Sequence, residues 1–426
     1  MRDPSFLGLN GTQFLGAFND NLFKQMVLLI AVGMAKENSS QNMQGVATFL
    51  FGLPFVLFSG VSGVLADRNS KRTIIVQSKV LEIVAMALGA AAFWMQSFPA
   101  MLGVLFLMGA QSAYFGPAKY GILPELFRSQ DLPRANGSIL MMTFLSIILG
   151  VSLAGFLLDD RLNNLWMGSL LCVLLAMAGT AISLMIRATP VAQPGLKITW
   201  SSLAIPGPMR RELSQNRSLL VVLLATSVFW CVGGIYQQGV NDLGELQLGL
   251  KTSQTSLLQA AAAIGIGVGC VVAGRLSEGR FEARLVKGGL WGMLVCLVLL
   301  AMPGPLRGNT LLGVYGGGVV LMVLGFCAGC FAVPIQVYLQ AKSPTDQKGQ
   351  VIGTMNLMNW IGIMLAGVIH FGTSRTLAAL HLSPNLIFLV GAVLLLGVGL
   401  CFHPRSETLP ADSADDELVP APQPLV

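Results

Sequence analysis

The stretch "GAFNDNLFKQMVLLI" (residues 16–30) sets Asn19, Asp20, Asn21, Lys24 and Gln25 inside an otherwise apolar run. A carboxylate there can accept from a cationic group, and an ammonium can donate to a phosphate or carboxylate. Such groups are expensive in hydrocarbon: an isolated charge at the centre of a bilayer costs from about 3 to more than 10 kcal/mol, depending on the reference state. Gln13, Ala17, Asp20 and Lys24 recur at helical spacing and share one face of one helix. Asp20 and Lys24 lie one turn apart, so each can offset the other's charge. Two readings follow. The pair is either a structural couple facing a helix bundle or a polar contact for a ligand in a cavity, and intramembrane ionisable residues favour the second.

The elements that position these residues follow from composition. Of 426 residues 54% are hydrophobic and 11% charged, against roughly 25% charged in soluble domains, so the chain is an integral membrane protein. The 49 glycines suit helices packed closely on small residues, and the spacings Gly265-x-x-x-Gly269 and Gly313-x-x-x-Gly317 are two candidate contacts. The net charge of +6 belongs to membrane orientation rather than to nucleic-acid binding. Cys172, Cys231, Cys270, Cys296, Cys327, Cys330 and Cys401 all fall in apolar runs, so Cys327-x-x-Cys330 reads as packing. The first segment is too long and too polar in its middle for a cleaved signal peptide and is expected to be retained.

Runs of roughly 20 mostly apolar residues, the length of a spanning helix, occur at 8–34, 43–66, 74–96, 98–118, 137–158, 164–186, 218–241, 253–275, 285–303, 310–334, 351–372 and 383–403. The expected fold is therefore all-α, with twelve transmembrane helices in two six-helix bundles, 1–186 and 218–403. A polar linker (187–217) joins them, and a Pro-rich, acidic tail (404–426) is expected to be cytoplasmic and disordered. If both termini are cytoplasmic, 19 Lys and Arg face that side and 5 the other, which satisfies the positive-inside rule. The halves echo each other: Gly63, Leu65 and Asp67 align with Gly274, Leu276 and Glu278 at one constant offset, and "GAQSAYFGPAKY" (109–120) resembles "GFCAGCFAVPIQVY" (325–338). Parallel repeats of this kind place substrate between the halves.

The loop "GVLADRNSKR" (63–72) resembles the cytoplasmic signature of the major facilitator superfamily, with Ser70 where that family usually has Gly. The resemblance implies a conformational latch. Gly63 lets helices approach, and Asp67 pairs with Arg68, Lys71, Arg72 or a neighbouring helix end, with Gly274 and Glu278 in the degenerate second copy. Lys79 and Glu82, at i and i+3 in the third segment, read as a snorkelling, self-neutralising pair near the interface.

Four blocks, "FLGAFNDN" (14–21), "YFGPAKYGILPEL" (114–126), "RANG" (134–137) and "SVFWCVGG" (227–234), together resemble the bacterial lysophospholipid transporter family, the LplT branch of that superfamily. They also resemble the transporter portion of proteins fused to acyltransferase and acyl-carrier-protein ligase domains. The likeness spans the membrane region and implies flipping of lysophospholipids, such as lysophosphatidylethanolamine, from outer to inner leaflet of the bacterial inner membrane for reacylation. A partnership with an acyltransferase or ligase follows from the fused relatives. Several members carry Arg where this chain has Gln237.

The residues agree in kind. A zwitterionic headgroup needs an acceptor for its ammonium and donors for its phosphate, beside an apolar wall for the acyl chain. Asp20 can supply the first, with Asn21 beside it. Lys24 or Lys119 can supply the second, with Gln237, Gln238 and Asn241 opposite on the seventh segment. Asn356 and Asn359 serve interhelical hydrogen bonding equally well.

The sequence holds no G-x-x-x-x-G-K-[ST] loop, and none of His370, His381 and His403 has Asp five positions on. Phosphate-loop nucleotide hydrolysis and a His-x4-Asp acyltransferase are thus excluded from this chain. No enzyme activity, cofactor or metal site is expected. A proton-coupled exporter of amphipathic drugs and a non-transporting module that recruits an acyltransferase are the alternative readings.

Overall fold

The computed structural model describes residues 3–38, 43–158, 165–198, 202, 205, 207–277, 280–304, 311–344 and 346–408. Six long helices form the first half: α1 (Pro4–Asn38), α2 (Gln44–Arg68), α3 (Lys71–Trp94), α4 (Phe98–Gly121), α6 (Leu132–Leu158) and α7 (Leu165–Ser183), with a single turn, α5 (Leu123–Leu126), after α4. The second half repeats the plan with α9 (Arg217–Asn241), α10 (Thr252–Leu276), α11 (Ala283–Ala301), α12 (Gly313–Lys342), α13 (Lys348–Ala379) and α14 (Ile387–Cys401). The connector carries α8 (Gly207–Gln215). Eleven of these helices are long and apolar enough to cross a membrane. The twelfth long helix is α1, whose polar residues set it apart.

Those residues explain where α1 sits. Hydrocarbon cannot satisfy a polar side chain, so each must meet another helix or a cavity. Thr12 donates to the Gly179 carbonyl of α7 (3.5 Å), Gln13 donates to Thr143 of α6 (2.8 Å), Asn19 to Glu82 of α3 (2.9 Å), and Asp20 accepts from Ser112 of α4 (2.6 Å). One helix thus ties four others together, and α1 packs chiefly on α6 and α7.

The halves touch along two crossings related by the repeat: α2 on α13, and α6 on α10. Both are too close for side chains. A Cβ at Gly63 would lie 2.7 Å from the Gly349 carbonyl oxygen, and one at Gly137 would lie 2.6 Å from that of Cys270. Within the second half, Gly265 and Gly269 of α10 interlock with Gly325 and Gly329 of α12, where added Cβ atoms would meet backbone at 2.0–2.6 Å. The Gly313/Gly317 spacing is different: a Cβ added at either position would meet no neighbouring helix within 4 Å, so the spacing is not a close helix contact.

After α14 the chain turns back. Glu407–Thr408 pair antiparallel with Arg280–Phe281, and the Ala283 amide donates to the Ser406 hydroxyl (3.0 Å). The start of the segment expected to be disordered is therefore anchored by backbone pairing, while 409–426 lie outside the described residues.

The glycine interlock carries a stability expectation. Replacing Gly269 by Ala forces backbone apart and destabilises the protein by about 1–3 kcal/mol or more, read as earlier thermal unfolding in detergent. Gly317→Ala, with open space around it, leaves unfolding unchanged. Equal unfolding of the two variants would contradict the packing.

Candidate functional site

A cavity of about 270 Å³ lies between the halves, with Asp20 of α1, Ser112 and Lys119 of α4, Trp230 of α9, Gln336 of α12 and Asn356 of α13 among its lining. Each half contributes a helix that carries an internal proline, Pro117 in α4 and Pro334 in α12, at corresponding places in the repeat. Proline removes one backbone hydrogen bond from a helix, here beside the cavity.

Asp20 and Lys119 place an acidic and a basic side chain on this wall. Ser112 donates to Asp20 Oδ2 (2.6 Å), and Asp20 Oδ1 has no hydrogen-bond partner. Among the described residues, no carboxylate lies within ion-pair distance of Lys119; its ammonium lies 5.6 Å from the Phe115 ring centroid and 4.4 Å from that of Tyr120. Apolar and aromatic surface completes the wall, with Phe55 stacked on Trp360 at 4.1 Å across the α2–α13 crossing. The site therefore presents one acceptor, one cationic donor and an aromatic surface. Asn359 also lines it, accepting from Thr226 of α9 (2.9 Å).

The other candidate ligands lie elsewhere. Lys24 makes no ion pair with Asp20; its ammonium sits over Phe51 of α2, 5.1 Å from the centroid. Asn21 donates to the Ala17 carbonyl of its own helix (2.7 Å) and stays off the cavity wall. Gln237, Gln238 and Asn241 also stand outside the lining. Gln259 of α10 donates to the Gln237 carbonyl (3.4 Å) and to the Asn241 side chain (2.6 Å), and Gln238 donates to the Gly234 carbonyl (3.2 Å). The Asn241 side chain is thus taken by α10, which no single-helix pattern reveals.

Lys79 and Glu82 are the larger correction. Each side chain is 1% exposed, so the pair is buried, not snorkelling. The ammonium pairs with Glu82, and Asn19 holds the other carboxylate oxygen (2.9 Å).

The face at which α1 begins and α14 ends is closed. Asp67 directs its two carboxylate oxygens at the N-terminus of α13, accepting from the Gly349 amide (2.7 Å) and the Gln350 amide (2.9 Å). α13 has no side-chain cap of its own, so Asp67 caps it from the other half and meets the positive end of its dipole. The basic residues near it have other work. Lys71 pairs with Glu125, Arg72 donates to the Ile186 carbonyl (2.6 Å), and Arg68 is exposed. Gly274 packs on the backbone of Pro133, and Glu278 lies outside the described residues.

A second clasp was missed from sequence. Asn136 of α6 donates to Gln340 Oε1 of α12 (2.6 Å), Gln340 donates back to Asn136 Oδ1 (3.1 Å), and Gln340 also donates to the Tyr120 carbonyl (3.0 Å). Both side chains are wholly buried. Two amides in apolar helices were the available signal.

On the opposite face, Asp242, His370 and Ser374 form a small cluster, but carboxylate and hydroxyl both meet the same ring nitrogen, Nε2. The ring therefore does not bridge them as a proton relay would require.

Two six-helix halves around a polar, aromatic cavity, closed at one face, define a membrane transporter of the two-bundle kind. The chain belongs to the Major Facilitator Superfamily, whose family model matches residues 12–367. It is 30% identical over 359 residues to the lysophospholipid transporter LplT of Enterobacter sp. (strain 638), covering 82% of this chain and 84% of that protein. The LplT of Escherichia fergusonii is 30% identical over 353 residues, covering 81% and 82%. Among solved structures, the superfamily transporter FucP in its outward conformation aligns with TM-score 0.73 at 13% identity, over 93% of this chain and 97% of that one. A bacterial homologue of the iron transporter ferroportin, outward-facing, aligns at 0.70 and 14%, over 94% and 98%. At those identities the structural likeness speaks to the fold alone.

Removing the trans cap tests the closure. Side-chain caps contribute about 0.5–2 kcal/mol, so Asp67→Ala speeds hydrogen exchange at the Gly349 and Gln350 amides by about 2- to 30-fold. Unchanged exchange would show that Asp67 does not hold this face shut.

Proposed function

We propose that this protein moves lysophospholipids, lysophosphatidylethanolamine among them, from the outer to the inner leaflet of a bacterial inner membrane by alternating access of its two halves. The observation that carries the reading is the pairing of an acceptor and a donor on one cavity wall. Asp20 offers an unpartnered oxygen and Lys119 an ammonium with no carboxylate partner among the described residues. A zwitterionic headgroup complements both, its ammonium at Asp20 and its phosphate at Lys119. The aromatic surface of Phe55, Trp230 and Trp360 suits the glycerol and the start of the acyl chain. The names of the curated relatives support the substrate class.

The excess of Lys and Arg assigned to the side where α1 begins and α14 ends supports reading that face as cytoplasmic. The arrangement is then the state closed to the cytoplasm, held by Asp67 and by the Asn136–Gln340 amides. Release of both clasps, with the halves rocking about the α2–α13 and α6–α10 crossings, exposes the cavity to the inner side. A lysolipid delivered there is a substrate for reacylation, which makes an acyltransferase the natural functional partner.

Purified protein in proteoliposomes is expected to translocate labelled lysophosphatidylethanolamine. Asp20→Asn and Lys119→Gln each remove one charge-assisted contact, worth about 1.5–3 kcal/mol, and lower the rate by about 10- to 100-fold, with insertion unchanged. Dye efflux without lysolipid movement would favour a drug exporter and sink this reading. Wild-type rates in Asp20→Asn would remove Asp20 from the site.

A further inference from the structure

Lys79 belongs to α3, which packs on α4 and α7, yet its side chain lines the central cavity. Gly16 is the reason. Gly16 of α1 also lines the cavity, and a Cβ there would lie 2.7 Å from Lys79 Nζ and 3.6 Å from Glu82 Oε2. On the far side, a Cβ at Gly179 of α7 would come within 3.0 Å of Lys79 Cε. Two helices thus leave room for one ammonium, and the Thr180 hydroxyl donates to the Lys79 carbonyl (3.0 Å). Glu82 pairs with that ammonium and is itself held by fully buried Asn19, whose Oδ1 is left without a partner. Buried ion pairs are weak sources of stability, and apolar replacements often serve as well. A pair accommodated at two glycines, buried but with its lysine at the cavity lining, points to a use in binding.

We propose that Gly16 is a window in the cavity wall through which the Lys79 ammonium contacts the phosphate of the bound lysolipid. The inference rests on the cavity being the lysolipid site. An ammonium has three donors, so Lys79 keeps its bond to Glu82 while donating a second to a phosphate oxygen beside Lys119. Glu82 and Asn19 fix its position whether or not substrate is present. Two ammoniums on the phosphate and one carboxylate on the ligand's amine then select lysolipids that carry a phosphate over equally apolar monoacylglycerols that do not.

The test is equilibrium binding to the full-length protein in detergent, read by the fluorescence of Trp230 and Trp360, which line the cavity. The probes are lysophosphatidylethanolamine and a monoacylglycerol of the same chain length. Gly16→Ala displaces only the flexible end of Lys79. It is expected to weaken lysophosphatidylethanolamine binding by about tenfold, the order of one charge-assisted contact, and to leave monoacylglycerol binding unchanged. The neutral pair Lys79→Gln/Glu82→Gln, which retains hydrogen-bonding groups, is expected to do the same, and the triple variant to be no weaker than either. Equal weakening of both ligands, wild-type affinity in Gly16→Ala, or effects that multiply in the triple variant would each overturn the window. Wild-type protein that binds no lysolipid would instead overturn the cavity reading, and the window with it.

Discussion

Hydrocarbon leaves a charged or polar side chain nothing to bond, and that constraint organises this molecule. Most of the polar residues of α1 named above end on another helix or on the cavity wall, and Asn21 bonds back to its own helix. Thr12 reaches α7, Gln13 reaches α6, Asn19 reaches α3, and Asp20 faces Ser112 and open space. The same rule buries Lys79 against Glu82, and it leaves Lys119 resting on aromatic rings rather than in lipid. The costly groups are thereby collected at the centre of the molecule, where a ligand's own charges can complement them.

Closure at the terminal face uses a different economy of contacts. Backbone approach through Gly63, Gly137, Gly274 and Gly349 lets the halves meet almost without side chains. Specificity for the closed state then rests on two clasps: a carboxylate on a helix N-terminus and a reciprocal amide pair. Both consist of hydrogen bonds that water can replace once the face opens. Such contacts suit a joint that must break repeatedly, whereas the α10–α12 glycine interlock, closed against backbone throughout, suits a joint that stays.

The fold was legible because hydropathy and length report spanning helices directly, and the repeat showed how they divide. Asp20 and Lys119 were legible because a charge in an apolar run is itself a signal, and Asp67 because its loop is a known signature. What failed was helical phase. Gln237, Gln238 and Asn241 are polar residues near one end of α9, and nothing local says that Gln259 on α10 takes the Asn241 side chain and the Gln237 carbonyl while Gln238 bonds back to Gly234. Lys24 follows Asp20 by one turn, but Phe51 of α2 takes its ammonium. Lys79 was misjudged for the complementary reason. Its burial depends on Gly16 and Gly179, which come together with it only in three dimensions.

The central claim is that one zwitterionic headgroup spans Asp20 and Lys119 in the cavity between the halves. A structure of the protein with lysophosphatidylethanolamine bound tests it most directly. The ligand's ammonium is expected within about 4 Å of the Asp20 carboxylate and its phosphate within the same distance of Lys119, the reach of an ion pair. A headgroup bound on the lipid-facing surface, or in the cavity with those contacts exchanged or absent, would contradict it.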